Sequence, residues 1–99
     1  MSAYMIIRAK LSDPQKFGAY SAAMPAAVSA AGGEYLVLGG GPEWLEGESD
    51  GSTVVVSRWP SRETAQQFWH SPEYAEIKPL RAGCGEFEVV LVDGLEGSG

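Results

Sequence analysis

An α+β sandwich, with one four-stranded antiparallel sheet and its helices on one face, is the fold this sequence predicts. Three observations predict it. Four short segments carry β-type composition. Helix-start signals fall only between the first and second of these and between the third and fourth, so the order is βαββαβ. The chain has 99 residues, 44% hydrophobic and 20% charged, which suits one core and one domain.

Tyr4-Met5-Ile6-Ile7-Arg8-Ala9-Lys10 is too short for a helix of its own and reads as strand 1. Asp13-Pro14 starts a helix: Asp caps free N–H groups, and Pro takes the first helical position because its missing N–H is not needed there. Phe17, Tyr20, Met24, Val28 and Ala31 follow at three- and four-residue spacing as an apolar stripe. Pro25 is expected to kink or split this helix, and Gly32-Gly33 to end it through a left-handed cap. Glu34-Tyr35-Leu36-Val37-Leu38 is strand 2, broken by Gly39-Gly40-Gly41-Pro42. Glu43-Trp44-Leu45-Glu46-Gly47 is expected to resume it before a turn from Glu48 to Ser52. Thr53 to Trp59 is strand 3, the clearest β segment. Ser61 caps a second helix that carries Ala65, Phe68 and Trp69 inward. Ser71-Pro72 starts a short further helix bearing Tyr74, Ile77 and Leu80, limited by Pro79. Glu86 to Asp93 is strand 4. Right-handed crossovers fold both βαβ halves onto one sheet in the order 4-1-3-2, a ferredoxin-like sandwich. Residues 1–94 form the domain, and 95–99 read as a flexible tail.

Successive strand residues point to opposite faces. One set, including Met5, Ile7, Tyr35, Val37, Val55, Trp59, Val89 and Leu91, is apolar and belongs under the helices. The other, including Ile6, Leu36, Leu38, Val54, Val56, Val90 and Val92, is also largely aliphatic, although helices on one side cannot cover it. A bare apolar face marks an interface. The simplest cover is a second copy of the chain, sheet against sheet with twofold symmetry. Charges on this face stand at strand ends. With strands 1 and 3 taken as parallel, Arg8 and Arg58 share one end. Glu86 and Glu88 are then expected beside Arg8, and Glu34 beside Arg58.

Composition narrows the function. Thirteen acidic against seven basic residues leave a net charge of −6, the opposite of a nucleic-acid footprint. No apolar run is long enough to span a membrane. The single Cys84 and single His70 offer no metal-ligand cluster, so neither metal nor cofactor is expected. Met1-Ser2-Ala3-Tyr4 shows no basic segment ahead of a long hydrophobic one, so a cytoplasmic location is expected.

Asp13-Pro14, Tyr20, Gly32-Gly33, Leu45-Glu46-Gly47, Val54-Val55-Val56, Pro60-Ser61, Ala65, Trp69, Ser71-Pro72-Glu73-Tyr74, Arg81 and Asp93-Gly94 together resemble the domain-of-unknown-function family 1330. That family belongs to the dimeric α+β barrel superfamily. The resemblance implies a homodimer whose two sheets form a barrel with a ligand-sized cleft. Superfamily relatives include cofactor-independent monooxygenases, muconolactone-type isomerases, haem enzymes and proteins without known activity, so the fold transfers no reaction. Family members often have His before the Gly-Gly pair, where this chain has Ala31. They often have Glu before the aromatic-Pro-Ser, where this chain has Arg58. A permanently protonated Arg58 suits an anion better than a proton to be removed.

The candidate ligand group is therefore Arg8, Arg58, Glu88, Glu34 and Trp44. Two guanidinium groups on an apolar wall can hold a carboxylate, and Glu88 can orient one of them or act as a base. An ion-pair cluster at a dimer rim is the alternative for the same charges. His70 ends the second helix, where a protonated imidazole favours the dipole. With Glu88 it is the candidate catalytic group. Cys84 reads as a small loop residue. Gly39-Gly40-Gly41 lacks the Lys-Ser/Thr of a phosphate loop and reads as a bend. Tyr74 and Arg81 read as packing and helix-terminal groups. The expected function is a homodimer that binds a small hydrophobic acid or similar anion in a cleft between sheet and helices or between subunits. The alternatives are a cofactor-independent isomerase or monooxygenase-like enzyme, and a structural or regulatory dimer without a ligand.

Overall fold

The computed structural model describes residues 2–39 and 41–95. Gly40 of the glycine run and 96–99 of the expected tail lie outside the described residues. The elements are β1 (Ala3–Leu11), α1 (Pro14–Ala30), β2 (Glu34–Gly39), β3 (Thr53–Trp59), α2 (Arg62–Trp69), α3 (Pro72–Ile77), a 3-10 turn (Lys78–Arg81) and β4 (Gly85–Asp93). The strands lie in the order β2-β3-β1-β4, as expected, and every adjacent pair is antiparallel. One expected direction is corrected, because β3 runs antiparallel to β1. The crossover through α1 sets β2 parallel to β1, and the direct β2–β3 connection then reverses β3 against both.

Local chemistry explains the helices. The Asp13 carboxylate accepts from the Lys16 N–H at 3.0 Å, with Pro14 at the first position. The Ser61 and Ser71 hydroxyls accept from the Thr64 and Tyr74 N–H groups, both at 3.1 Å. α1 closes in a Schellman turn. Gly32 adopts φ +97°, its N–H reaches the Ser29 carbonyl, and the Gly33 N–H reaches that of Val28 at 2.9 Å. A Cβ on Gly33 would stand 2.9 Å from the Trp59 ring. Pro25 does not split α1, which runs unbroken over 17 residues. A mid-helix proline costs about 3 kcal/mol. Buried Tyr20 and Met24 on one side and Val28 on the other hold the helix to the core across it.

Met5, Tyr20, Met24, Val28, Trp59, Ala65, Phe68 and Tyr74 form the core between the sheet and its helices. Trp59 is 1% exposed and its Nε1 donates to the Ser57 hydroxyl at 2.9 Å. Leu80, expected to turn inward, is exposed. It belongs to the 3-10 turn Lys78–Arg81, which buries none of its residues, and not to α3 with Tyr74 and Ile77.

β2 departs from the expected alternation. Its register with β3 skips between Tyr35 and Val37, so Val37 stands opposite Val56 and Leu38 opposite Val55. Such a bulge swaps faces: Val37 passes to the open face and Leu38 to the helix side, the reverse of strict alternation. The expected strand resumption at Glu43–Gly47 does not occur, and 41–52 contain no strand. Pro42 lacks a ladder N–H, and Gly41, Gly47 and Gly51 all adopt positive φ. The Asp50 carboxylate turns the segment back by accepting from the Ser52 N–H at 3.0 Å. Among the described residues no helix is long and apolar enough to cross a membrane. The molecule measures 40 × 36 × 16 Å, thin enough that its second sheet face lies open. Val90 on that face is 52% exposed.

Candidate functional site

The antiparallel β1–β3 pairing separates the two arginines that the sequence placed together. Arg8 stands opposite Val54, and Arg58 opposite Tyr4. Four residues along a strand put them ~13 Å apart, at about 3.3 Å per residue. The acidic neighbours follow their own arginines as expected: Glu88 lies across from Arg8, and Glu34 across from Arg58. The predicted group is therefore two small clusters at opposite ends of the open face.

At one end, the Arg8 guanidinium lies 4.5 Å from the Trp44 ring centroid and 3.1 Å from the Asp50 carboxylate. Trp44 was expected near this cluster and Asp50 was not. These two contacts strap the irregular segment 41–52 across the end of β1. At the other end, Arg58 Nε approaches the Ser2 hydroxyl at 3.4 Å. The Ser52 hydroxyl and N–H, with Arg8 beside them, lower the Asp50 carboxyl from its usual 3.8 to about 2. A depressed carboxyl contributes its contact above the unfolded value and loses it as pH falls through the folded one. The Trp44 contribution to fluorescence, taken against Trp44→Phe, is thus expected to stay constant down to about pH 4 and change only towards pH 2. Asp50→Asn should produce that change at neutral pH. A transition in the neutral range would exclude Asp50 as the clamp.

His70 caps the end of α2 as expected, and it is exposed. It borders a shallow hollow of about 180 Å³ with Met5, Trp69 and Leu91. Glu88 is exposed on the open face. The two candidate catalytic groups do not meet. Cys84 is fully buried; its carbonyl accepts from the Ser12 and Asp13 N–H groups and holds the β1–α1 corner.

An apolar space lies on the other side of the sheet. A cavity of about 310 Å³ opens between α1 and the strands. Small residues at the ends of three strands, Ala9, Gly39 and Thr53, face Phe17, Tyr20, Ser21, Met24 and Pro25 of α1. Ile7, Val55, Tyr35, Phe87 and the bulge-turned Leu38 complete the apolar wall, and Arg81 enters it from the 3-10 turn. The Arg81 guanidinium carbon stands 4.5 Å from the Phe87 ring centroid, 5.7 Å from that of Tyr20 and 5.9 Å from that of Trp69. Among the described residues no carboxylate forms an ion pair with it; the ion pairs there are Arg8–Asp50 and Arg62–Asp93.

The remaining polar groups of the wall are neutral. The Tyr20 and Tyr74 hydroxyls share a buried hydrogen bond of 2.9 Å. Burial, and then that bond, hold the Tyr20 phenol well above its ordinary range, and burial raises Tyr35 as well. Both phenols therefore keep their protons at neutral pH. A cationic fork on an apolar, aromatic wall can pair with a carboxylate while the rings take up a hydrophobic body. Reading the sequence missed Arg81 and the cavity role of Tyr20, Tyr35 and Phe87. The available signal was a cation within the quoted family pattern with no acidic residue three or four positions ahead of it, where Lys78 and Ile77 stand.

Known proteins share this architecture. RPA0582, a protein of unknown function from Rhodopseudomonas palustris, matches with a TM-score of 0.79 at 17% identity, over 96% of this chain and 83% of that one. SnoaB, a cofactor-independent oxygenase from Streptomyces nogalater, matches at 0.69 and 14%, over 96% and 94%. Rv0793 from Mycobacterium tuberculosis matches at 0.62 and 18%, over the whole of both chains. At these identities the likeness is one of fold alone. No curated protein matches the chain. The family model described as Domain of unknown function (DUF1330) matches residues 2–95, and the chain belongs to that family.

Proposed function

We propose that the protein binds a small hydrophobic carboxylic acid in the cavity between α1 and the sheet, with Arg81 as the anion's partner. The observation that carries this reading is a guanidinium without a carboxylate partner among the described residues, set in the wall of an apolar cavity of about 310 Å³. Ring faces beside Arg81 hold the cation in place without neutralising it. The hydrophobic body supplies affinity at about 25 cal/mol per Å² removed from water, and the charge-assisted contact supplies selection for an acid. Calorimetry with 2-naphthoate is expected to show one site per chain, with the neutral 2-methylnaphthalene bound at least about tenfold more weakly. Equal affinity for both, or no binding of any aryl or alkyl carboxylate, would sink the proposal. The oxygenase reading has one observation in its favour, the fold shared with SnoaB. That alone carries no reaction, and the phenols of this wall keep their protons at neutral pH.

The binding unit is a homodimer joined through the open sheet face. Support comes from the aliphatic surface there: Ile6, Val37 and Val56 occupy one rung, beside the exposed Val90. Val56 is in the middle of this surface on a central strand. Sedimentation is expected to show a dimer for the natural chain and a folded monomer for Val56→Asp, since an unpaired carboxylate cannot be buried there. A natural chain that sediments as a monomer at micromolar loading would defeat the dimer.

A further inference from the structure

One phenol of the cavity wall is left without a bond. The Tyr20 and Tyr74 hydroxyls bond to each other, whereas the Tyr35 hydroxyl meets no hydrogen-bond partner among the described residues. Every sealed side-chain oxygen and nitrogen among those residues has a partner, so the Tyr35 oxygen is one that a ligand can reach. Tyr35 lines the cavity and packs against the core. Burial is the main cause that raises its phenol, with Tyr74 second, and Tyr35 in turn raises Tyr20. Its oxygen therefore lies on the inner side of β2, within electrostatic reach of the buried Tyr20–Tyr74 pair.

Strand order sets the distance between this hydroxyl and the cation. Tyr35 belongs to β2, and Phe87, on which Arg81 packs, belongs to β4; these are the two outer strands. Three strand spacings separate them, about 14 Å at the backbone. Between them Val55, Ile7 and Ala9 are apolar, and the Thr53 hydroxyl is directed to the Ala9 carbonyl at 3.4 Å. The cavity thus presents a cation at one side, a phenol O–H at the other and apolar surface between. A ligand that fills it and offers the phenol no acceptor strips water from a donor without replacing the bond. We propose that the acid is bipolar: its carboxylate meets Arg81, and a ketone-like oxygen at the far end of its hydrophobic body accepts from the Tyr35 hydroxyl, which makes Tyr35 a specificity-determining residue. This rests on the reading of the cavity as an acid site.

The test is calorimetry on the full chain with 4-acetylbenzoate, 6-acetyl-2-naphthoate and 7-acetyl-2-naphthoate, each beside its isopropenyl counterpart, which has nearly the same shape and no acceptor. Water favours the ketone, so without a protein donor the isopropenyl acid binds more tightly. In the natural chain at least one acetyl acid is expected to bind about fivefold more tightly than its counterpart, the worth of one neutral hydrogen bond. Tyr35→Phe alters the wall for both members of a pair alike, so the ratio within the pair is the quantity read, and it is expected to fall to one or below. NMR of the natural chain with isotope-labelled tyrosine gives a reading that does not depend on how the variant folds. The Tyr35 ring carbon that bears the hydroxyl is expected to shift more with the acetyl acid than with its counterpart. If no acetyl acid outbinds its counterpart, if the ratio survives in Tyr35→Phe, or if both ligands move the Tyr35 signal equally, this proposal is overturned and the acid site stands. If no carboxylate binds at all, both are overturned.

Discussion

Arg81→Gln is expected to weaken binding of 2-naphthoate about 10- to 150-fold, the equivalent of about 1.5–3 kcal/mol for a hydrogen bond to a charged group. Binding of neutral 2-methylnaphthalene should not change. The contrast separates loss of charge from damage to the cavity, which matters because Arg81 also packs on Phe87 and Tyr20. Glutamine keeps part of the side-chain length and two donors but has no charge. Arg81→Lys should fall between the natural chain and Arg81→Gln, since an ammonium keeps the charge but not the planar fork. Equal losses for acid and hydrocarbon would assign Arg81 to packing alone. Retained selectivity for the acid would place the anion elsewhere, with Arg8 and Arg58 the next residues to vary.

Trp59→Ala is expected to cost about 3–5 kcal/mol of folding stability, measured by urea unfolding at fixed protein concentration. The ring is 1% exposed and lies 5.1 Å from the Phe68 ring. It also fills the space that Gly33 leaves by having no side chain. Removing it opens a cavity at the centre of the core. It also strips the buried Ser57 hydroxyl of its donor. Trp59→Phe keeps most of the volume but still removes that N–H, so a smaller loss of about 1–3 kcal/mol is expected from the hydroxyl left behind. Domains of this size hold about 5–15 kcal/mol in all, so the alanine variant should sit near the edge of folding. A loss under about 1 kcal/mol would mean that Trp59 does not occupy the core, because such a cost is typical of surface positions.

The elements were legible because their causes are local. Asp13, Ser61 and Ser71 cap helices within three residues of themselves, and Gly32-Gly33 closes α1 through contacts inside its last turn. The stripe from Tyr20 to Val28 marked the buried face by spacing alone. Two local signals were misjudged. Pro25 was expected to interrupt α1, but core contacts on both sides outweigh its cost. Glu43–Gly47 was expected to extend β2, but Pro42 and the positive-φ glycines withhold the backbone a ladder requires.

The candidate site was harder to read. Joining Arg8 to Arg58 depends on the relative direction of two strands separated by about forty residues of chain. Antiparallel pairing sends them to opposite ends of the sheet while leaving Glu88 and Glu34 with the expected arginines. One bulged residue in β2 then exchanged the faces of Val37 and Leu38 and put Leu38 into the cavity wall. Arg81, in a short turn with no periodicity to declare its face, looked like a helix-end cation.

By itself the sequence determined the βαββαβ order, the helix boundaries, the core stripe and the apolar character of both sheet faces. Each of these follows from interactions within a few residues or from a repeat of fixed period. Only the tertiary structure decided which charges meet, which side chains line the cavity and where Arg81 points. Those outcomes depend on strand direction, on one skipped rung and on how far a long helix is held off a sheet, and all three are set by contacts between segments distant along the chain.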